Sequence, residues 1–301
     1  MTIPPFPHVQ AAFLLRLALL EDLGFSGHTM TTYRGSLSRL LYRDVTTRSL
    51  FAPCDRLRAH IEARANGILA GGPLLPVIFK MLGPVRVKLL KPDGRSVRRL
   101  EKIALLEGSA AAILAGERTV LNFLSRLSGI ATVARLYADA VRGARARVLD
   151  TRKTTPGWRD LEKYAVRAGG ATNHRRDLAE HVLVKDNHIA GCGLPLSEIV
   201  RRARRRGRRP IEIEVTTLDE LRDVLPAKPD IILLDNMTLP AIRRAVKIVR
   251  AAPPPRPAIE VSGGVTLATV RAIARTGVDR ISAGALTHSA PAIDFSLEVV
   301  R

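Results

Sequence analysis

A chain of 301 residues can bury a large core, as one large or two modest domains. Its formal net charge of +20 comes mainly from arginine and favours an anionic partner without choosing one, while aromatic residues at 4% argue against a base-stacking nucleic-acid platform. Cys54 and Cys192 lack metal-ligand spacing, and the apolar run 11–20 contains Arg16, is too short to cross a bilayer and lacks the flanks of a signal peptide, so a cytoplasmic protein free of membrane is expected.

Residues 8–23 have the pattern of an amphipathic helix that stops at Gly24, a residue favoured just past a helix C-terminus. Residues 25–43 are rich in Gly, Ser, Thr and Arg and read as a loop with room for a short helix. From about 57 to 106 the β-type runs LRAHIEARA, VRVKLL and RSVRRLEKIAL are separated by the turn signals Ala70-Gly71-Gly72-Pro73 and Pro92-Asp93-Gly94. They predict a small mixed domain with an antiparallel sheet. Ser109 caps a long helix predicted to run to about Leu127, with Gly129 breaking it.

After about 145 the texture changes. Apolar strand candidates recur as ARVLD, HVLVK, IEIEV, DIILLD, AIEVS and DRISA, with helical segments between them. Thr217-Leu218-Asp219-Glu220 is a capping box, and Thr238 and Thr266 open two further helices. Apolar strands alternating with helices imply a parallel sheet buried on both faces. Six such units suggest a β/α barrel short of the usual eight, with a doubly wound open sheet as the alternative. Residues 252–257, APPPRP, are a stiff connector inside this domain.

The cations of residues 150–188 are the organising feature. Arg152, Lys153, His174, Arg175 and Lys185 fall where the hydrophobic pattern stops, not on a helix face, as a pocket for a small polyanion requires. In a β/α barrel the C-terminal strand ends build the site. Here those ends carry Thr151-Arg152-Lys153, Lys185, Glu214, Asp235, Ser262-Gly263-Gly264 and Ala283-Gly284-Ala285. Cations hold carboxylates and phosphates, acids hold a divalent metal or sugar hydroxyls, and glycines bring backbone N–H groups to a phosphate. Taken singly, Arg152 and Lys153 read as solvated charges, Asp235 as a helix cap, and the glycine segments as turns. Glu214 stands apart, because a carboxylate in an apolar buried strand needs a partner or a function. The run 201–209 lies at a helix end, where cations suit the dipole, and reads as a solvated face.

The sequence resembles the quinolinate phosphoribosyltransferase family. The motifs, in order, are EDLG at 21–24, ERTVLNFLSRLSGIAT at 117–132, TRKTTPG at 151–157, EKYAVRAGG at 162–170 and NHR at 173–175. They continue with KDNHI at 185–189, IEIEV at 211–215, LLDNM at 233–237, SGGV at 262–265 and GVDRISAGALTHSAP at 277–291. TRKTTPG with KDNH and LLDN is highly specific; a lone SGG is not. The family runs from EDLG almost directly into a G-D-[IV]-T-T segment, whereas residues 25–43 intervene here before Asp44-Val45-Thr46-Thr47, and the GGG before NHR appears as Gly169-Gly170-Ala171. A molybdenum-operon group shares the TRKT-type motif but lacks the full NHR and KDNH pattern.

The resemblance implies an N-terminal α/β sandwich domain over 1–127, joined by the tail 286–301, and an incomplete, six-stranded β/α barrel over 128–285. It implies a homodimer with shared active sites, or a hexamer. The implied reaction joins quinolinate to 5-phosphoribosyl 1-pyrophosphate with magnesium, giving nicotinate mononucleotide, pyrophosphate and carbon dioxide in de novo NAD synthesis. By the same resemblance Arg118 comes from the partner subunit. Arg152, Lys153, Arg175 and Lys185, with Thr151 and His174, hold quinolinate. Glu214 and Asp235 face the ribose hydroxyls and the metal, and Ser262, Gly263, Gly264, Ala283, Gly284 and Ala285 bind phosphate. The catalytic group is then Lys153, Lys185, Glu214 and Asp235.

Overall fold

Helix α1 (His8–Asp22) buries Ala11, Leu15, Leu19 and Leu20 on one face, and Gly24 at φ +80° ends it as its position predicts. The computed structural model, which describes residues 3–300, shows more order after it than the loop reading allowed. Residues 25–43 hold α2 (Gly27–Thr32) and a 3₁₀ turn over Leu37–Arg43, followed by α3 (Val45–Leu50). The reason is long-range pairing that local turn signals do not show. The Arg43 guanidinium lies 4.8 Å from the Phe25 ring centroid while its Nε donates to the Leu23 carbonyl at 2.6 Å.

Contacts divide the chain into two compact units: residues up to Arg135 with Thr155–Gly170 and those from Ala290, and a second unit of Leu136–Thr154 with Ala171–Ser289. Residues 1, 2 and 301, counted above with the N-terminal domain, lie outside the described residues. The first unit carries β1 (Arg56–Ala63), β2 (Gly67–Ile68), α4 (Leu74–Leu82), β3 (Val85–Leu89), β4 (Ser96–Val97) and β5 (Lys102–Ser109). β1, β5 and β3 form an antiparallel sheet whose other edge is the C-terminal strand Phe295–Val300, and β2 pairs with β4. The two turn signals are one structure: Asp93 accepts from the Gly71 N–H at 2.8 Å and the Gly72 N–H at 3.0 Å. The run RSVRRLEKIAL is split between β4 and β5, because Glu101 accepts from the Arg98 N–H at 2.8 Å and turns the chain there.

Helix α5 (Ala110–Ala140) corrects the predicted break. Ser109 does cap it, accepting from the Ala112 N–H at 3.3 Å, but the helix passes through Gly129. The glycine serves close approach: a Cβ there would lie 2.0 Å from the Pro291 carbonyl oxygen. Helix α6 (Arg159–Ala168) completes the first unit's helices.

The second unit holds β6 (Arg147–Leu149), β7 (Val182–Val184), β8 (Ile211–Val215), β9 (Ile231–Asp235), β10 (Ala258–Ser262) and β11 (Arg280–Ser282). These are the six predicted strands. Their order, β6-β11-β10-β9-β8-β7, sets the last strand beside the first, and every pair is parallel. A doubly wound sheet would instead start in its middle and grow both ways. The structure is an incomplete barrel: among the described residues β6 and β7 are not paired with each other, and Leu149 of β6 makes a single parallel bridge to Thr172, in the segment before β7. Helices α7 (Asp186–Cys192), α8 (Leu196–Arg206), α9 (Leu218–Val224), α10 (Leu239–Ala251), α11 (Leu267–Ala274) and α12 (Ala285–His288) follow the strands. Thr217, Thr238 and Thr266 cap α9, α10 and α11 as predicted, each side chain accepting a backbone N–H. Among the described residues no helix is long and apolar enough to cross a membrane.

Candidate active site

Successive side chains on a strand point to opposite faces, so IEIEV puts Ile211, Ile213 and Val215 on one side and Glu212 and Glu214 on the other. Register then aligns Glu214 with Leu233, Leu233 with Glu260, and Glu260 with Arg280 across four strands. Above this charged layer, at the C-terminal strand ends, opens a cavity of about 810 Å³. Thr151, Arg152, Lys153, His174, Arg175, Lys185, Glu214, Asp235, Ser262, Gly263, Gly264, Ala283, Gly284 and Ala285 all line it. Every site residue named from the barrel sequence is therefore brought together. Arg118 is not among the lining residues; it is exposed on α5, in the first unit.

The cationic wall is held by its backbone. The Lys153 N–H donates to Thr151 Oγ1 at 3.0 Å, and Thr287 Oγ1 donates to the Lys153 carbonyl at 2.7 Å. Gly284 leaves space for this side chain, since a Cβ there would sit 3.0 Å from Lys153 Cδ. The Nε atoms of Arg152 and Arg175 are buried with no hydrogen-bond partner among the described residues. Burial and then the charge of Arg152 push the Arg175 guanidinium below its ordinary value. Two buried, idle Nε donors, on the buried Arg175 and the half-buried Arg152, are a site that an anion would relieve.

The acidic side is partly engaged. Lys185 Nζ lies 3.0 Å from Glu214 Oε2, the partner that a carboxylate in this strand required. Asp235 Oδ2 accepts from Asn236 Nδ2 at 2.6 Å. Asn236 has φ +51° and presses on the next turn, where a Cβ on Gly263 would meet its Oδ1 at 2.2 Å. Gly264, at φ +57°, faces open space, so its backbone stands bare beside the pocket. The acids and the bare backbone suit, respectively, hydroxyls or a cation, and a phosphate.

Sequence reasoning missed the charges beneath. Glu212 and Glu260 are fully buried, and His174 is 9% exposed. His174 Nε2 lies 3.3 Å from Glu212 and 3.2 Å from Glu260, and His181 Nε2 lies 2.9 Å from Glu212. Burial acts to lower the His174 pKa, but its contacts with Glu212 and Glu260 win and raise it to about 9. Nδ1 accepts the Arg175 N–H at 2.7 Å, so a second ring proton must break that bond, which works against the rise. The signal was available: Glu212 shares its strand with Glu214, two residues away. Asn236 and His288, which also line the cavity, were missed as site residues.

The family model described as "Quinolinate phosphoribosyl transferase, C-terminal domain" matches residues 130–298, and the one for the N-terminal domain matches residues 44–128. A probable carboxylating nicotinate-nucleotide pyrophosphorylase of Bacillus subtilis is 40% identical over 295 residues, covering 97% of this chain and 94% of that one. The carboxylating nicotinate-nucleotide pyrophosphorylase of Mycobacterium leprae is 36% identical, covering 93% of this chain and 100% of that one. Among solved structures, the nicotinate-nucleotide pyrophosphorylase of Francisella tularensis superposes with a TM-score of 0.87 at 35% identity, covering 100% of this chain and 99% of that one.

Proposed function

The chain belongs to the quinolinate phosphoribosyltransferase family, and we propose that its barrel cavity performs the family's reaction with the residues assigned below. The reaction converts quinolinate and 5-phosphoribosyl 1-pyrophosphate to nicotinate mononucleotide, pyrophosphate and carbon dioxide, a step of NAD biosynthesis.

Quinolinate has two adjacent carboxylates and a weakly nucleophilic ring nitrogen. Arg152, Arg175, Lys153, Lys185, His174 and Thr151 hold the carboxylates, aiming the nitrogen at the anomeric carbon. The observation that carries this reading is the pair of buried Nε donors on Arg152 and Arg175, residues of the cavity wall, that have no partner among the described residues. The carbon–nitrogen bond forms as pyrophosphate leaves, so positioning and fixed charge do the catalytic work and no covalent nucleophile is needed. The ring nitrogen is then cationic and stabilises the carbanion left when the neighbouring carboxylate departs as carbon dioxide; that carbon then takes a proton. Lys153 and Lys185 act by charge and form no Schiff base. Ser262, Gly263, Gly264, Ala283, Gly284 and Ala285 take phosphate.

Glu214 and Asp235 fit magnesium that enters with the second substrate. Two carboxylates with substrate oxygens are a usual magnesium environment, and neither acid is in the histidine-containing cluster that is close enough to hold an ion by itself. When bound, magnesium would neutralise charge on the pyrophosphate group. We assign Arg118 to the pocket of a partner subunit in a homodimer, supported by its exposure on α5 and its absence from the cavity lining. Two exposed free thiols, Cys54 and Cys192, fit a cytoplasmic setting.

The test is a coupled assay for nicotinate mononucleotide. Quinolinate should be used and nicotinate should not, because a pocket built for two carboxylates loses charge-assisted bonds when one is missing. Chelation should abolish turnover, and added magnesium should restore it. Activity that survives chelation would remove the metal role from Glu214 and Asp235. Equal use of nicotinate would remove the carboxylate pocket.

A further inference from the structure

At the floor of the cavity and beneath it lies more charge than these binding roles use. Buried carboxylates need partners, and Glu212 and Glu260 each lie within ion-pair distance of two side chains, although Glu260 Oε1 makes no hydrogen bond among the described residues. Glu260 faces Arg280 Nε at 2.5 Å and His174 Nε2 at 3.2 Å. Glu212 faces His181 Nε2 at 2.9 Å and His174 Nε2 at 3.3 Å.

The contacts of Glu212 close a ring. Its carboxylate meets the His181 imidazole. The His181 carbonyl accepts from Arg175 Nη1 at 3.1 Å. The Arg175 N–H donates to His174 Nδ1 at 2.7 Å, and His174 Nε2 returns to Glu212. A second tether fixes the loop, because the buried Asp150 accepts the His174 N–H at 2.7 Å. The Arg175 main chain is thus tied to the His174 ring, and the Arg175 guanidinium to the His181 main chain, with Glu212 joining the two imidazoles.

The geometry points to Glu212 and His181 as positioning residues for the quinolinate pocket. Glu212 orients both imidazoles, and by anchoring the His181 ring it fixes the His181 main chain, whose carbonyl holds Arg175 Nη1 and so sets the spacing of the groups that meet the two carboxylates. The inference rests on the assignment of Arg175 and His174 to quinolinate. Neither Glu212 nor His181 lines the cavity, so both act through other residues.

The experiment measures kcat, both KM values and thermal unfolding for Glu212→Gln, His181→Ala, His181→Gln, Arg175→Ala and the double variant Glu212→Gln/Arg175→Ala. Asp279→Asn is the structural control. Asp279 pairs with Arg250 at 2.8 Å and accepts the Ile259 N–H at 2.9 Å at the other end of the strands, so its loss tests stability alone. Glu212→Gln and His181→Ala should each raise the KM for quinolinate about tenfold, with the KM for 5-phosphoribosyl 1-pyrophosphate unchanged. His181→Gln, which keeps a donor toward Glu212, should recover most of the loss. Glu212→Gln should add nothing to Arg175→Ala, because coupled residues are not additive. The inference is overturned if both KM values rise together, or if the variants only unfold earlier, as Asp279→Asn does. If Arg175→Ala raises the quinolinate KM while Glu212→Gln and His181→Ala do not, this inference alone falls. If Arg175→Ala leaves that KM unchanged, the pocket assignment falls and takes the inference with it.

Discussion

Lys185 and Glu214 sit 3.0 Å apart, yet they are unequally buried, with side chains 44% and 8% exposed. Removing the cation strands the deeper charge. A fully buried broken pair costs about 3–5 kcal/mol, but water reaches Lys185, so Lys185→Met should cost only about 1–2 kcal/mol. Lys185→Met/Glu214→Gln should recover that stability and remain inactive, as unfolding and turnover measured together would show. Recovery of turnover would remove both residues from the chemistry. His174 gives a pH signature of opposite sense to an ordinary carboxylate. It faces Glu212 and Glu260 through Nε2 and the Arg175 N–H through Nδ1, with the His181 ring 5.4 Å away and Arg280 on the far side of Glu260. Its pKa is raised from 6.5 to about 9, so its contribution to stability is complete below about 6.5 and is lost as pH climbs through about 9. The excess stability of wild type over His174→Gln should shrink across that window in denaturant titrations; a constant difference would mean a neutral ring throughout. Glu214 was legible because a carboxylate in an apolar strand demands an explanation. Glu212 satisfies the same argument, but its partners, His174 and His181, are 38 and 31 residues away in sequence and nothing local announces them.

Elements follow local rules where local contacts decide them. The threonine caps of α9, α10 and α11 were readable because each bond spans three residues. Gly129 was misread for the converse reason: what decides it is Pro291, far along the chain. The two explanations make opposite predictions for Gly129→Ala. If helix propensity ruled, the substitution would stabilise by about 1 kcal/mol. A Cβ 2.0 Å from a carbonyl oxygen overlaps so far that backbone must move, and overpacking of this kind costs about 1–3 kcal/mol. Net loss of about 1–2 kcal/mol is therefore expected from chemical denaturation, and a gain would show that the 290s segment yields freely. Residues 25–43 repeat the lesson, since the cation–ring contact of Arg43 with Phe25 gives order to a stretch whose composition reads as loop.

For the molecule as a whole, the barrel was legible from six apolar strands in sequence, and the lining of the cavity from the charged, polar or small residues near the C-terminal end of each one. Chain order alone cannot say which subunit completes a pocket, and Arg118 carries that question. It sits on α5, exposed, with no place in the lining of the cavity. If a partner's Arg118 serves each pocket, Arg118→Ala should be as inactive as Lys153→Ala, although the two substitutions spoil different copies of the same composite site. Unfolding both variants together and refolding them at equal concentration should make about half the dimers mixed. In a mixed dimer, the pocket that keeps Lys153 receives the intact Arg118 of the Lys153→Ala chain, while the other pocket lacks both. One working site in half the dimers predicts recovery to about a quarter of wild-type activity. Mixed dimers verified by orthogonal affinity tags that still show no turnover would confine each site to a single chain and leave Arg118 with a role in the first unit only.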